Sequence, residues 1–118
     1  MAQKYIVNDI VMYKNRIHTI IETLGLNNYE LSYIRHQVNR VELSGVPLIP
    51  EILEKNGWKK PDGFDSYWLG KIGLLQEGDT WHSALGSTKI AIILGNIQYV
   101  HELQHLLFGL GVNHEMEV

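Results

Sequence analysis

The longest segment with a helical pattern of apolar residues lies near the C-terminal end of the chain, at residues 95–111. At about 100° per residue, its large apolar side chains fall within one narrow arc, as in a helix that packs on a core. We predict a helix over residues 97–110, with Asn96 as its N-cap and Gly111 as its C-terminal stop. The apolar residues that share the core-facing arc are Val100, Leu103, Leu107 and Leu110.

The same segment contains the motif His-Glu-x-x-His, formed by His101, Glu102 and His105. Two histidines four residues apart share a helix face and can bind zinc, with the intervening Glu as general base. On the helical wheel, however, both histidines lie opposite the apolar arc. A third ligand is also required, but Phe108 and Gly111 occupy the positions where one extension of the motif places Gly and His. We therefore predict two exposed histidines and no metal site.

The first 46 residues alternate short apolar runs with turn residues. Residues 4–13 read as a strand and 9–22 as a hairpin, and further strands are expected at 29–34 and 38–43. Four short, closely connected strands predict a small barrel-like, Src-homology-3-like antiparallel sheet.

The remaining residues, 47–118, combine helical and strand patterns. A short helix starts at Pro50, and a strand is expected to begin at Trp58. An antiparallel meander follows over 67–94, and residues 114–118 alternate like an edge strand. We expect the C-terminal helix to cover one face of the meander. The chain is thus predicted to be a single α+β domain over 1–118, with an N-terminal lobe (1–46) and a C-terminal lobe (47–118).

Composition narrows the possible functions. The absence of cysteine excludes disulfides, thiolate zinc sites and a cysteine nucleophile. The net charge is −3, but residues 1–60 carry eight Lys/Arg against six acids and residues 61–118 carry two against seven. An anionic partner should therefore meet the N-terminal half, and we do not expect binding to long duplex DNA. Because the N-terminus lacks a signal-peptide pattern and no apolar run could span a bilayer, we expect a cytoplasmic protein without membrane contact.

Two groups of side chains are candidates for binding a ligand. Aromatic rings next to basic residues can stack on bases while the cation neutralises phosphate, although we favour the alternative that such rings supply the core of a small domain. Arginines at strand ends suit phosphate, although they can equally be a solvated strand edge. The aromatic-polar candidates are Trp58, Lys59, Lys60, Tyr67, Trp68, Trp81 and His82, and the basic candidates are Arg35, His36 and Arg40.

Two segments resemble a known protein family. Residues 47–58 resemble the PLTPEILEKNGF segment, and residues 99–107 the YVHELQ helix, of small phage and prophage proteins from Bacteroides-type bacteria. The resemblance covers residues 46–118, with Ile49 in place of the family's Thr. Most members are uncharacterised, so no catalytic residue carries over, and the family is not known for peptidase activity.

Three hypotheses follow, in decreasing order of preference. The first is a phage or prophage accessory protein that binds without catalysis or a cofactor, as a homo-oligomer in the host cell. Its ligand would be a small anionic, nucleotide-type immune signal, and sequestering that signal would counter host defence. The second is a module that binds nucleic acid or a host protein through the N-terminal sheet. The third is a zinc-dependent hydrolase that uses His101, Glu102 and His105.

Overall fold

The computed structural model describes residues 5–118, and its fold is α+β, as predicted: most of it is antiparallel sheet, with two α-helices. It divides into two compact units. The first contains the chain through Pro47 together with Tyr99–Met116, and the second contains Leu48–Gln98 together with Glu117–Val118. Neither helix of the described chain has the length and apolar run needed to span a bilayer.

The first unit contains a five-stranded antiparallel sheet in the order β4-β3-β2-β1-β5. Its strands β1 and β2 form the predicted hairpin, because Lys14 and Asn15 take φ values of 49° and 63° and so provide a two-residue turn. The strand predicted at 38–43 is instead divided by a 3₁₀ turn at Arg40–Glu42. The strands are β1 (Ile10–Tyr13), β2 (Arg16–Leu24), β3 (Asn28–Leu31), β4 (Val38–Asn39) and β5 (Leu43–Gly45).

The second unit begins with the helix α1 (Pro50–Lys55) and continues into a four-stranded antiparallel meander. The meander has the sequential order β6-β7-β8-β9, which confirms the predicted arrangement. Its inner face supplies the core of this unit through Ile72, Leu74 and Trp81. The strands are β6 (Ser66–Leu69), β7 (Ile72–Glu77), β8 (Thr80–Gly86) and β9 (Ala91–Ile97).

The helix α2 (Val100–Gly109) belongs to the first unit, so it is grouped with the five-stranded sheet and not, as predicted, with the meander. Gln104 joins it to the first unit by accepting a hydrogen bond from the Ile10 N–H at 2.8 Å. The helix begins after Tyr99, whose N–H donates to the Glu102 carboxylate at 3.0 Å. Asn96, the predicted N-cap, lies in β9 instead.

The predicted strand at 114–118 is absent from the described chain. The Asn56 side chain instead makes two hydrogen bonds to the Glu117 backbone, at 2.7 and 2.8 Å, and so ties the chain end to α1.

Candidate functional site

A cleft in the first unit, with a volume of about 440 Å³, brings together polar and aromatic side chains from distant parts of the sequence. Its size falls within the range of small-molecule sites, about 300–1,000 Å³. The 3₁₀ turn, β5 and the start of α2 supply most of its wall. The lining residues are Tyr5, Arg40, Ser44, Gly45, Tyr99, His101 and Glu102.

Gly45 explains how Tyr99 reaches the cleft. A Cβ atom at Gly45 would lie 2.5 Å from Tyr99 Cγ, closer than two carbon atoms can approach. The Val100 N–H also donates to the Val46 carbonyl at 2.8 Å, which fixes the start of α2 against the end of β5. A residue without a side chain at position 45 therefore allows the Tyr99 ring to lie directly on the strand.

His101 lies between two tyrosine rings and is only 6% exposed. Its ring stacks on Tyr99, with planes 9° apart and centroids 5.8 Å apart, and meets Tyr5 edge-on at 5.0 Å. Burial lowers the pKa of His101 below its usual value of 6.5, although Asp9 and Glu102 partly offset this effect. The ring is therefore neutral at pH 7, and its Nδ1 atom has no hydrogen-bond partner among residues 5–118.

His105 is bound to Asp9, whose side chain is fully buried. Asp9 Oδ2 lies 2.6 Å from His105 Nε2 and also accepts a hydrogen bond from the Ile6 N–H at 2.9 Å. The second carboxylate oxygen, Oδ1, has no partner in the described part of the chain. A buried carboxylate thus lies beside the two histidines of the motif, next to the cleft.

The prediction that His101 and His105 are exposed is therefore wrong. His101 is buried, and 22% of the His105 side chain is exposed. The cause is the segment before β1, which lies along this flank of α2: Gln104 Nε2 donates to the Asn8 carbonyl at 2.7 Å. The helical wheel gave no sign of this contact, because the two segments are 96 residues apart in sequence.

A zinc site needs at least three side-chain ligands that point to one metal ion. The relative placement of the two histidine rings and of nearby acidic residues can therefore be compared with this requirement. The rings of His101 and His105 are 5.8 Å apart at the centroids and inclined at 75°. Within the residues that the structure describes, no group of three His, Cys, Asp or Glu side chains is placed to hold a metal ion. The absence of a zinc site stays a prediction, which elemental analysis of the purified protein can test.

Among the basic residues selected from the sequence, Arg40 lines the cleft. Arg35 and His36 are exposed in the loop between β3 and β4, where His36 Nδ1 lies 3.0 Å from the Gln37 carbonyl. The same loop presents Tyr33, which is 97% exposed with a φ of 64°. The sequence therefore indicated Arg40 as a candidate but did not distinguish it from Arg35 and His36, which do not line the cleft.

The aromatic candidates lie in the second unit, where they are buried in its core or make hydrogen bonds to other residues of the unit. Trp58 and Trp81 are 3% and 0% exposed, so neither ring is available to a ligand, and the alternative reading as core residues is confirmed. Tyr67 donates to the Glu54 carboxylate at 3.0 Å, and Trp68 donates to Ser66 Oγ at 2.8 Å.

The polar neighbours of these aromatics also lie in the second unit, where Lys60 and His82 contact other side chains. Lys59 pairs through its backbone with Trp68, and the Lys60 ammonium lies 4.0 Å from Asp65. His82 Nδ1 lies 2.7 Å from the Asn96 side-chain oxygen. None of these three basic side chains lines the cleft around Arg40.

We expect the free energy of unfolding to fall on acidification because of His101. Its folded-state pKa is lowered, so below the unfolded value, near 6.5, the unfolded chain binds the proton more readily. Stability should therefore decrease as the pH falls through 6.5 to the folded pKa. His101→Phe keeps a ring between the tyrosines and removes the titration, so its stability should vary less between about pH 8 and pH 5.

The measurement is urea denaturation at several pH values. His36→Phe, at an exposed position, is the matched control and should follow the wild-type curve. Parallel curves for the wild type and His101→Phe would show that His101 is not the titrating group.

Sequence reasoning did not select Tyr5, Ser44, Gly45, Tyr99 or Asp9 for this region. The only available signal was Tyr99, which is two residues before the motif.

No protein-family model, no curated protein and no solved structure matches this chain.

Proposed function

We propose that this protein binds a small anionic ligand of the nucleotide type in the cleft around Arg40, and that it acts by binding rather than by catalysis. The observation that carries the proposal is the presence of Arg40 in one cleft with the partly exposed rings of Tyr5 and Tyr99. A guanidinium group pairs with phosphate through a planar fork of donors, and aromatic rings offer faces to a base or sugar.

The neutral groups of the cleft support a ligand with polar atoms besides its phosphate. Burial raises the pKa of Tyr5, so its hydroxyl stays protonated and can donate a hydrogen bond. Ser44 is a second neutral group in the lining of the cleft. Glu102 adds a negative charge, which disfavours a bare multivalent anion and suits a ligand with hydroxyl or N–H donors.

The resemblance to phage and prophage proteins supports a role in sequestration. On this proposal, the protein works in the cytoplasm of the bacterial host and removes a nucleotide-type immune signal, without a cofactor and without altering the ligand. The five-stranded sheet is then a Src-homology-3-like, barrel-like scaffold that presents Arg40 and Ser44 from the segment between β4 and the end of β5.

The test is isothermal titration calorimetry with AMP, adenosine and inorganic phosphate as probes. We expect AMP to bind more tightly than the other two, because only AMP offers both phosphate and ring. Arg40→Ala should weaken AMP binding by about 10- to 100-fold, the loss expected for a hydrogen bond to a charged group. Arg35→Ala, an exposed arginine outside the cleft lining, is the control and should bind like the wild type.

Equal affinity for AMP and adenosine, or no effect of Arg40→Ala, would contradict anion recognition by the cleft. The AMP is recovered after incubation and analysed by chromatography. Conversion of AMP to another compound by the wild-type protein, lost in Arg40→Ala, would overturn the conclusion that the site binds without catalysis.

A further inference from the structure

The two edges of the meander in the second unit differ sharply. The β6 edge is covered by residue Lys59, which exchanges two backbone hydrogen bonds with Trp68 at 2.9 and 2.7 Å. Lys59 and Lys60 also place charge along this side. The opposite edge is β9, which ends the strand order and has no further strand beside it within residues 5–118.

The β9 edge is apolar and exposed. Ile90, Ile92 and Ile93 are 80%, 68% and 70% exposed, and Leu94 is 39% exposed. Residues 90–98 contain neither a charged residue nor a proline. Natural proteins protect sheet edges with short strands, charged side chains, proline or covering segments. Residues 90–93 carry neither a charge nor a proline, and no further strand of the described chain lies beside β9, so the bulge at Leu94 and the short straight stretch before it are the protections this edge has.

The outer face of the meander continues this apolar surface. Because side chains alternate along a strand, Trp68, Leu75, Ala84 and Ile93 share one face, opposite the buried face that contains Leu74 and Trp81. A shallow, mostly apolar cavity of about 190 Å³ lies on this outer face, lined among others by Trp68 and Ile93. The exposed apolar surface therefore extends from the edge of β9 onto the outer face of the same meander.

We propose that β9 pairs with β9 of a second copy of this chain, antiparallel and about a two-fold axis, to form one continuous eight-stranded sheet. An antiparallel pair of identical strands is self-complementary, as a two-fold interface requires. Since residues 90–98 are uncharged, the pairing brings no like charges together, although the whole chain carries a net charge of −3. Ile92 and Ile93 point to opposite faces, so the partner strand covers apolar side chains on both.

The local geometry limits the paired stretch. The register between β8 and β9 shifts between Ser83 and Ala84, where Leu94 becomes an extra residue opposite β8. Gly95 follows with a φ of 151°, so the straight part of the edge is Ala91–Ile93. The proposed pairing is centred on these three residues. It involves only the second unit and does not depend on the ligand proposed for the cleft.

The experiment is light scattering coupled to size-exclusion chromatography on the full chain over a range of micromolar concentrations. We expect twice the chain mass of 13.5 kDa for the wild type. Ile92→Lys and Ile93→Lys each place two lysines close together across the two-fold axis, so the dimer dissociation constant should rise by about tenfold or more. Leu26→Lys, at a position 72% exposed in the first unit, is the control and should remain dimeric.

A second measurement covers the case in which a variant does not fold. Hydrogen exchange of the wild type should show β9 amides that become more protected as the protein concentration rises from monomer to dimer, while the amides of β6 do not change. A wild-type monomer at all concentrations, an assembly larger than two chains, or β9 exchange independent of concentration would each overturn the proposal. AMP binding is measured separately on the same variants, so failure of the dimer and failure of the cleft are distinguishable.

Discussion

Replacing Gln104 by Leu is expected to lower the free energy of unfolding by about 3–5 kcal/mol. Gln104 is fully buried, and its amide makes three hydrogen bonds to backbone groups of the first unit. Its oxygen accepts from the Ile10 N–H at 2.8 Å, and its nitrogen donates to the carbonyls of Asn8 and His114 at 2.7 and 3.1 Å. Leu fills a similar volume but leaves all three backbone groups without this partner. The buried Ile10 N–H then costs about 1–3 kcal/mol, and the lost bonds to the partly buried Asn8 and His114 carbonyls cost about 0.5–1.5 kcal/mol each.

The measurement is urea denaturation of the full chain, followed by circular dichroism. Gln37→Leu makes the same chemical change at an exposed position and should alter stability by less than about 0.5 kcal/mol. If Gln104→Leu were as stable as the wild type, the amide would not join α2 to the segment before β1. His101 and His105 would then lack the covering segment that the structure gives them.

Elements fixed by neighbouring residues could be predicted from the sequence. The hairpin of β1 and β2 depends on its two-residue turn, and the meander on alternation between closely spaced turns. The short helix α1 begins at Pro50, as its terminal residues indicated. In each case the deciding interactions join residues only a few positions apart, so the local pattern contains the necessary information.

The surroundings of α2 could not be predicted in the same way. Three of the four residues predicted for its apolar arc, Val100, Leu103 and Leu107, are buried. The fourth, Leu110, is 38% exposed and follows the last residue of α2, so that part of the prediction is wrong. The buried arc also extends to Gln104 and His101, because a segment 96 residues earlier in the chain lies against that flank. A helical wheel describes one helix by itself and treats polar residues as exposed, so it cannot show a flank covered by distant chain.

The candidate site was predictable only in part, for a related reason. Arg40 was selected because basic residues suit anions, and it does line the cleft. Tyr5 and Tyr99 were not, because the cleft arises where two distant segments meet, and Gly45 makes their approach possible by having no side chain. The opposite error affects two tryptophans: Trp58 and Trp81 were selected as ligand candidates but are core residues. A large ring suits both a core and a ligand site, and composition does not distinguish the two.

Replacing Trp81 and Trp68 by Ala should lower the free energy of unfolding by clearly different amounts. Both lie in the same sheet but on opposite faces, and Trp81 is fully buried whereas Trp68 is only half-buried. Trp81→Ala should lower the free energy of unfolding by about 3–5 kcal/mol through lost burial and the cavity left behind. It also removes the hydrogen bond from Trp81 Nε1 to the Leu48 carbonyl at 2.9 Å. Trp68→Ala, the matched control, should have a clearly smaller effect because solvent already reaches part of its ring.

Trp81→Phe separates the two contributions. Phe keeps most of the apolar ring but cannot donate to the Leu48 carbonyl, which belongs to a residue only 3% exposed. We expect a loss of about 1–3 kcal/mol, between the wild type and Trp81→Ala. Denaturation is measured on all three variants at a concentration where light scattering shows a single chain, so that association through β9 does not add to stability. An equal loss for Trp68→Ala and Trp81→Ala in the single chain would mean that both faces of the sheet are core. The outer face would then not be free to join the surface of β9 that we assign to a second copy.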